Sequence, residues 1–183
     1  MNPVSTSAIR SPSQEPVHIM VDLETWDTTA SAVILSIGAC IIGPDPKRFD
    51  TLYLELNTNT QYMRTKSVST TEWWEQQGNC PCNGRTSLVD ALYHLRDYLA
   101  RITVRPIIWC KGTDFDVSIL SHAYRQMGVE PPWKYNDVRD FRTVKKMFGE
   151  SMVTTIQNPQ PHNALEDAVF QAQQLYSIGL ELK

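Results

Sequence analysis

The 183-residue sequence contains no apolar run approaching the roughly 20 residues that a membrane span needs, so it offers no candidate transmembrane helix. It has no internal repeat, and its only low-complexity stretch lies in the first residues. Positive charge is not in excess: 17 Lys and Arg stand against 20 Asp and Glu, for a net charge of −3. That balance argues against a protein that grips phosphate backbones by basic charge alone. The objection weakens if several carboxylates hold divalent cations, because bound ions invert the local charge. Cysteine is also scarce. Cys40 and Cys110 sit in or beside apolar strand-like runs and read as buried thiols, while Cys80 and Cys82 in NCPCNG read as a turn with exposed sulfur. Their spacing is not C-x-x-C, and no second Cys/His pair completes a zinc site. Such cysteine use suits a reducing compartment. The opening segment MNPVSTSAIRSPSQEPV lacks the apolar core of a signal peptide. Residues 1–16 read as a mobile Ser/Pro-rich tail, residues 17–183 as one folded domain, and the expected location is cytoplasmic.

The rest is globular in composition, with 42% hydrophobic and 20% charged residues, enough for a real core. VHIMVDLET at 17–25 reads as a mostly apolar strand and VILSIGACIIG at 33–43 as a second, buried one. After the turn GPDPK, Leu52, Leu54 and Leu56 alternate in a third strand over 50–56. Short connections make these an antiparallel meander. Ser69 followed by Glu72 predicts a capped helix running to Gln77, and Ser87 with Asp90 predicts another. Leu88, Leu92, Leu95, Leu99 and Ile102 give that second helix an apolar stripe over 87–102. PIIWC at 106–110 is a short buried strand, followed by a helix over 115–127 that Asp114 would cap and Gly128 would end. A strand around 134–138, a short helix over 140–148 and a long one over 163–181 complete the order. A three-stranded meander followed by α–β–α–β–α is an α/β arrangement shared by several folds.

The chemistry lies in where the acids fall. Asp22 and Glu24 are two apart on the first strand, so both leave one face while Leu23 points the other way. Two carboxylates projecting together from an apolar strand are costly unless a positive charge lies between them, and hard divalent cations such as Mg²⁺ and Mn²⁺ prefer carboxylate oxygen. Asp116, in WCKGTDFDVSIL, lies just past another buried strand, and strand ends at one sheet edge are where α/β sites assemble. In PHNALEDA, Asn163 and Glu166 form an N-cap signature, leaving His162 on the preceding loop and Asp167 one turn into the last helix. Singly, each has a plain reading: Asp167 favours a helix N-terminus and His162 is a loop residue. Their conjunction is what points to a site.

Asp22-Leu23-Glu24-Thr25, then Phe115-Asp116, then His162 followed by Asp167 resembles the three motifs of the DEDDh 3′–5′ exonucleases, in the ribonuclease T and DnaQ-like part of the RNase H-like superfamily. HIMVDLET, TEWWEQQ, WCKGTDFDVSIL, RDFRTV and PHNALEDA are similar to a phage and bacterial branch that includes Rv2179c-like and exodeoxyribonuclease VIII sequences. The resemblance spans roughly residues 17–180, with the motifs in the right order and at the right intervals. One departure is Lys111, where Asn is usual.

This resemblance implies an α/β RNase H-like domain: a five-stranded mixed sheet of order 3-2-1-4-5, its first three strands antiparallel, flanked by helices. It assigns Asp22, Glu24, Asp116 and Asp167 to two divalent ions, Mg²⁺ or Mn²⁺, and His162 to the general base. Two-metal sites activate a water and stabilise the leaving oxygen of an in-line phosphoryl displacement, and an imidazole can take a proton near neutral pH. The implied product is a nucleoside 5′-monophosphate. Thr25 and Trp26 follow the first acids directly and would sit beside the terminal nucleotide, with Trp74 and Gln77 next in interest. One of the adjacent Trp73 and Trp74 should be core, and Trp74 is favoured for the site. Arg142 reads as a scaffold residue, and Lys111 and Lys134 as contacts for phosphate or simply solvated side chains. The expected partner is a single-stranded nucleic acid 3′ end. DNA is favoured on the phage-type resemblance; the alternatives are an exoribonuclease trimming RNA 3′ ends, or a non-catalytic binding module of the same fold. Relatives are often dimers, so a homodimer is in view; no membrane partner is expected.

Overall fold

A computed structural model describes residues 11–48, 50–148, 158 and 160–179. Its sheet has the order β3-β2-β1-β4-β5, with β1 Val17–Thr25, β2 Ile34–Ile41, β3 Leu52–Glu55, β4 Pro106–Cys110 and β5 Val138–Asp140. The first three strands pair antiparallel, while β4 runs parallel to both β1 and β5. This is the expected mixed sheet, and β1 lies at its centre where antiparallel pairing gives way to parallel.

Strand alternation divides β1 between two cores. Ile19, Val21 and Leu23 pack with α2 (Leu88–Ile102) and α3 (Asp116–Gln126) on one side of the sheet. Met20 packs with α4 (Phe141–Phe148) and α5 (Ala164–Ser177) on the other, so Asp22 and Glu24, at the same parity as Met20, leave the α5 face. Gly38, opposite Asp22 on β2, lets α5 come close: a Cβ there would lie 2.2 Å from the backbone of Ala164.

Helix starts follow local capping. Ser87 accepts from the Asp90 N–H and donates to its carboxylate, as its spacing predicts, and Asn163 accepts from the N–H groups of Leu165 and Glu166. Two caps differ from expectation. Helix α1 (Val68–Gln77) begins two residues earlier than Ser69 would place it, because Ser67 accepts from the Thr70 N–H. Helix α3 has no side-chain cap: Asp114 does not fill that role, and Phe115 stands at the cap position. The strand expected around 134–138 is a 3₁₀ turn over Tyr135–Asp137, with β5 after it; buried Asp137 is tied there by a two-pronged bond from Arg105.

The segment expected as a tail over 1–16 is held from Ser13 onward. Ser13 bridges to Thr103, and the Thr103 hydroxyl donates to the Glu15 carbonyl. Residues 1–10 and the end of the long helix expected to reach 181 lie outside the described residues. Cys40 and Cys110 are buried as expected, whereas Cys80 and Cys82 are half-buried rather than exposed. Among the described residues no helix is long and apolar enough to cross a membrane.

Candidate active site

The carboxylates converge at the end of β1. Asp22 and Glu24 come from the strand itself, which slips register against β2 immediately after Glu24, an irregularity that re-aims side chains. Asp116 opens α3, and its Oδ1 accepts the Leu23 backbone N–H at 3.1 Å, which locks the start of α3 to the strand between the other two acids. Asp167 lies in the first turn of α5. Its Oδ2 accepts the His162 N–H at 2.7 Å and its Oδ1 accepts from the Asn158 amide at 2.9 Å. His162 is one of two non-glycine residues at positive φ among those described, at +67°, and this turn is fixed by its bond to Asp167. One ligand atom each from Glu24, His162 and Asp167 lie within 4.8 Å of one another. Glu166, one residue earlier on α5, turns away and pairs with Lys47.

Charge is crowded here. Burial pushes Asp22 well above the usual carboxylate range, and Asp116, Glu24 and Asp167 push it further against a single opposing bond from Gln171. Glu24 is pushed up to about 8 by burial and then by the charges of Asp167 and Asp116. Burial also raises Asp116 to about 7, opposed by its bond from Leu23. Asp167 is raised by burial, with the His162 N–H working the other way. Like charges at such range cannot all ionise in isolation, which makes the cluster a strong acceptor for a multivalent cation.

Beside the acids lies an apolar slot of about 410 Å³ lined by Leu23, Glu24, Thr25, Phe115, Trp73 and Trp74, among others. The two tryptophans divide their roles, as adjacent helical positions must, but in the opposite sense to the sequence expectation. Trp74 is 3% exposed and its Nε1 donates to the Thr25 carbonyl at 2.9 Å, so it is the core member. Trp73 is 36% exposed and meets the His162 ring edge-on, with centroids 4.7 Å apart. Burial leaves Trp74 to form a wall, and the free aromatic surface belongs to Trp73. Thr25 lines the slot while its hydroxyl donates to the Asp27 carbonyl. Trp26 is not among the slot residues; the Lys66 ammonium lies 3.5 Å over its ring. Gln77 lines a separate cleft of about 660 Å³, together with His162, Tyr53, Asn79 and Asn163. Arg142 donates to the Lys111 carbonyl and flanks Gly112, the scaffold role expected of it.

Three residues escaped the sequence reading. Trp73 was visible but placed on the core side, and Gln171 could have been found as the position four after Asp167, on the same helical face. Asn158 carries no local signal at all.

Several solved structures share this architecture. E. coli Exonuclease I in complex with a dA16 oligonucleotide superposes with a TM-score of 0.65 at 10% identity, over 90% of this chain and 40% of that one. A zinc-bound E. coli ExoI–ssDNA complex gives 0.66 at 11% identity, again over 90% and 40%. The nuclease domain of 3'hExo, a DEDDh family member bound to rAMP, gives 0.60 at 11% identity over 91% of this chain and 94% of its own. The chain thus spans about two-fifths of the exonuclease I chains, 40% in the first comparison, and nearly all of the 3'hExo domain. At such identities the likeness is one of fold, and that fold is the RNase H-like α/β fold. Residues 17–178 match the 3'-5' exoribonuclease Rv2179c-like domain, and the chain belongs to that family. No curated protein sequence matches the chain significantly.

Proposed function

We propose that the protein is a metal-dependent 3′–5′ exonuclease that releases nucleoside 5′-monophosphates from single-stranded 3′ ends. The observation that carries this reading is the convergence of Asp22, Glu24, Asp116 and Asp167 beside His162, with an apolar slot adjoining them.

The donor set fits hard divalent cations. It consists of buried, crowded carboxylates, with no lysine or arginine hydrogen-bonded to them among the described residues. Asp22, Glu24, Asp116 and Asp167 would hold two such ions, Mg²⁺ or Mn²⁺, which when bound would supply an activated water and charge stabilisation for the leaving 3′ oxygen. The remaining work falls to the chain. His162, anchored through its backbone to Asp167, takes the proton from the attacking water. Trp73, Leu23 and Phe115 receive the terminal base, where stacking excludes water and sets the scissile bond beside the acids.

RNA is proposed ahead of DNA as the polymer, and the match of residues 17–178 to an exoribonuclease domain supports that order. Single-stranded DNA, favoured by the sequence resemblance, is the second reading, supported by the oligonucleotide complexes of the exonuclease I neighbours. The test uses 5′-labelled RNA and DNA of one sequence, with Mg²⁺, Mn²⁺ or EDTA, beside Asp22→Ala. The expected result is a metal-dependent ladder shortening from the 3′ end and absent in the variant, with the faster polymer naming the substrate. Intact label under every condition would leave a non-catalytic binding module.

A further inference from the structure

Gln171 lies on α5 four residues after Asp167, so both side chains leave the helix toward the end of β1. It is only 4% exposed. Its Nε2 donates to Asp22 Oδ1 at 2.7 Å. The other end of the same amide, Oε1, is buried and has no hydrogen-bond partner among the described residues.

These facts constrain the amide. An ionised Asp22 can only accept, so the NH₂ end must face it and Oε1 must face away. Buried amide oxygens nearly always receive a hydrogen bond, so a donor belongs at Oε1. A carboxylate that binds a cation is ionised and has no proton to offer. Water carried by the cation is the donor that fits. Hard divalent ions keep part of their hydration shell, and a metal-held water is a stronger donor than a free one. Covalent geometry keeps the two ends of the amide within about one bond-pair width, so a donor at Oε1 lies close to Asp22.

We propose that Gln171 is a two-ended positioning residue for the metal centre: Nε2 aims the Asp22 carboxylate at the cation, and Oε1 accepts from a water that the cation holds. This rests on the metal-dependent reading of the site. It gives α5 two contributions to the centre, Asp167 as a ligand and Gln171 as the support of a ligand on another element. Outer contacts of this kind commonly carry a tenfold to hundredfold share of metal affinity.

The experiment measures Mn²⁺ binding calorimetrically in the absence of nucleic acid, for the wild type, Gln171→Leu and Gln174→Leu. Gln174 is a second buried glutamine on α5 with no hydrogen bond to the acids among the described residues, and it reports the general cost of removing a buried amide from this helix. Melting in EDTA is followed for all three. The expected result is a tenfold or greater loss of Mn²⁺ affinity in Gln171→Leu, less than threefold in Gln174→Leu, with comparable EDTA melting temperatures for the two variants. Unchanged affinity in a folded Gln171→Leu overturns the proposal, as does equal loss in both variants. Should Gln171→Leu not fold, Gln171→Met keeps the length and volume without either polar end, and the same criteria apply to it. Absence of Mn²⁺ binding by the wild type would instead remove the metal-dependent function itself.

Discussion

His162 is held at positive φ by the bond from its backbone N–H to the Asp167 carboxylate, and its imidazole rests edge-on against the Trp73 ring. Replacing it with Ala keeps that N–H, and the expected outcome is a fall in kcat of roughly 10²–10⁴-fold with little change in KM. Single-turnover kinetics on a labelled oligonucleotide check this. The two tryptophans predict a contrast of another sort. Trp74→Ala removes a fully packed indole and its bond to Thr25, with an expected stability loss of about 3–5 kcal/mol in chemical denaturation. Trp73→Ala should leave the melting curve nearly unchanged and weaken oligonucleotide binding by about 1–3 kcal/mol, read by fluorescence anisotropy in EDTA. Sequence could bring forward the five polar residues that the fold gathers at the end of β1, because each lies in a local spacing signal: D-x-E on a strand, Asp after a buried strand, His and Asp around a capped helix start. It could not choose between Trp73 and Trp74, since two adjacent indoles on a weakly amphipathic helix differ only in what lies beneath them.

Elements bring these residues together, and the tightest joint is the one between α5 and β2. Gly38 faces the backbone of Ala164 with no room for a methyl group, so Gly38→Ala must lift the first turn of α5 from the sheet. The expected cost is about 1–3 kcal/mol or more, with a disproportionate loss of Mn²⁺ affinity because Asp167 moves with that turn. Calorimetry beside denaturation separates the two effects. At this scale the element order and the places of the first four strands were legible, because apolar runs and the Ser87 and Asn163 caps are local. The misplaced starts had non-local causes. Ser67 and Ser69 are equally good caps in isolation, and the strand near Tyr135 is displaced by the Arg105–Asp137 fork, which joins residues 32 apart.

Among the described residues, the carboxylates raised above their ordinary range all lie in one place. Glu24 and Asp116 are raised to about 8 and about 7, above their unfolded values, so in the folded state they hold protons that the unfolded chain releases. Their favourable contribution is complete below about pH 4 and is lost as pH rises through 7 to 8. In EDTA the melting temperature should therefore fall from pH 5.5 to pH 8.5. Added Mn²⁺ should restore most of that loss, with the largest gain at the alkaline end, where the carboxylates are free of protons. Scanning calorimetry across this range would check the sign: a melting temperature in EDTA that climbs with pH would mean that the acids do not dominate.

Helix α5 supplies Asp167 and Gln171, and the hook at its start sets His162. A single cooperative segment therefore carries one proposed ligand, the proposed support of another and the turn that sets the proposed base. Fraying of its first turn would disperse these groups while the five-stranded sheet stayed paired. Amide exchange in the first turn of α5 should thus track enzymatic lifetime more closely than global unfolding does, and heat should silence the protein some degrees before it melts it.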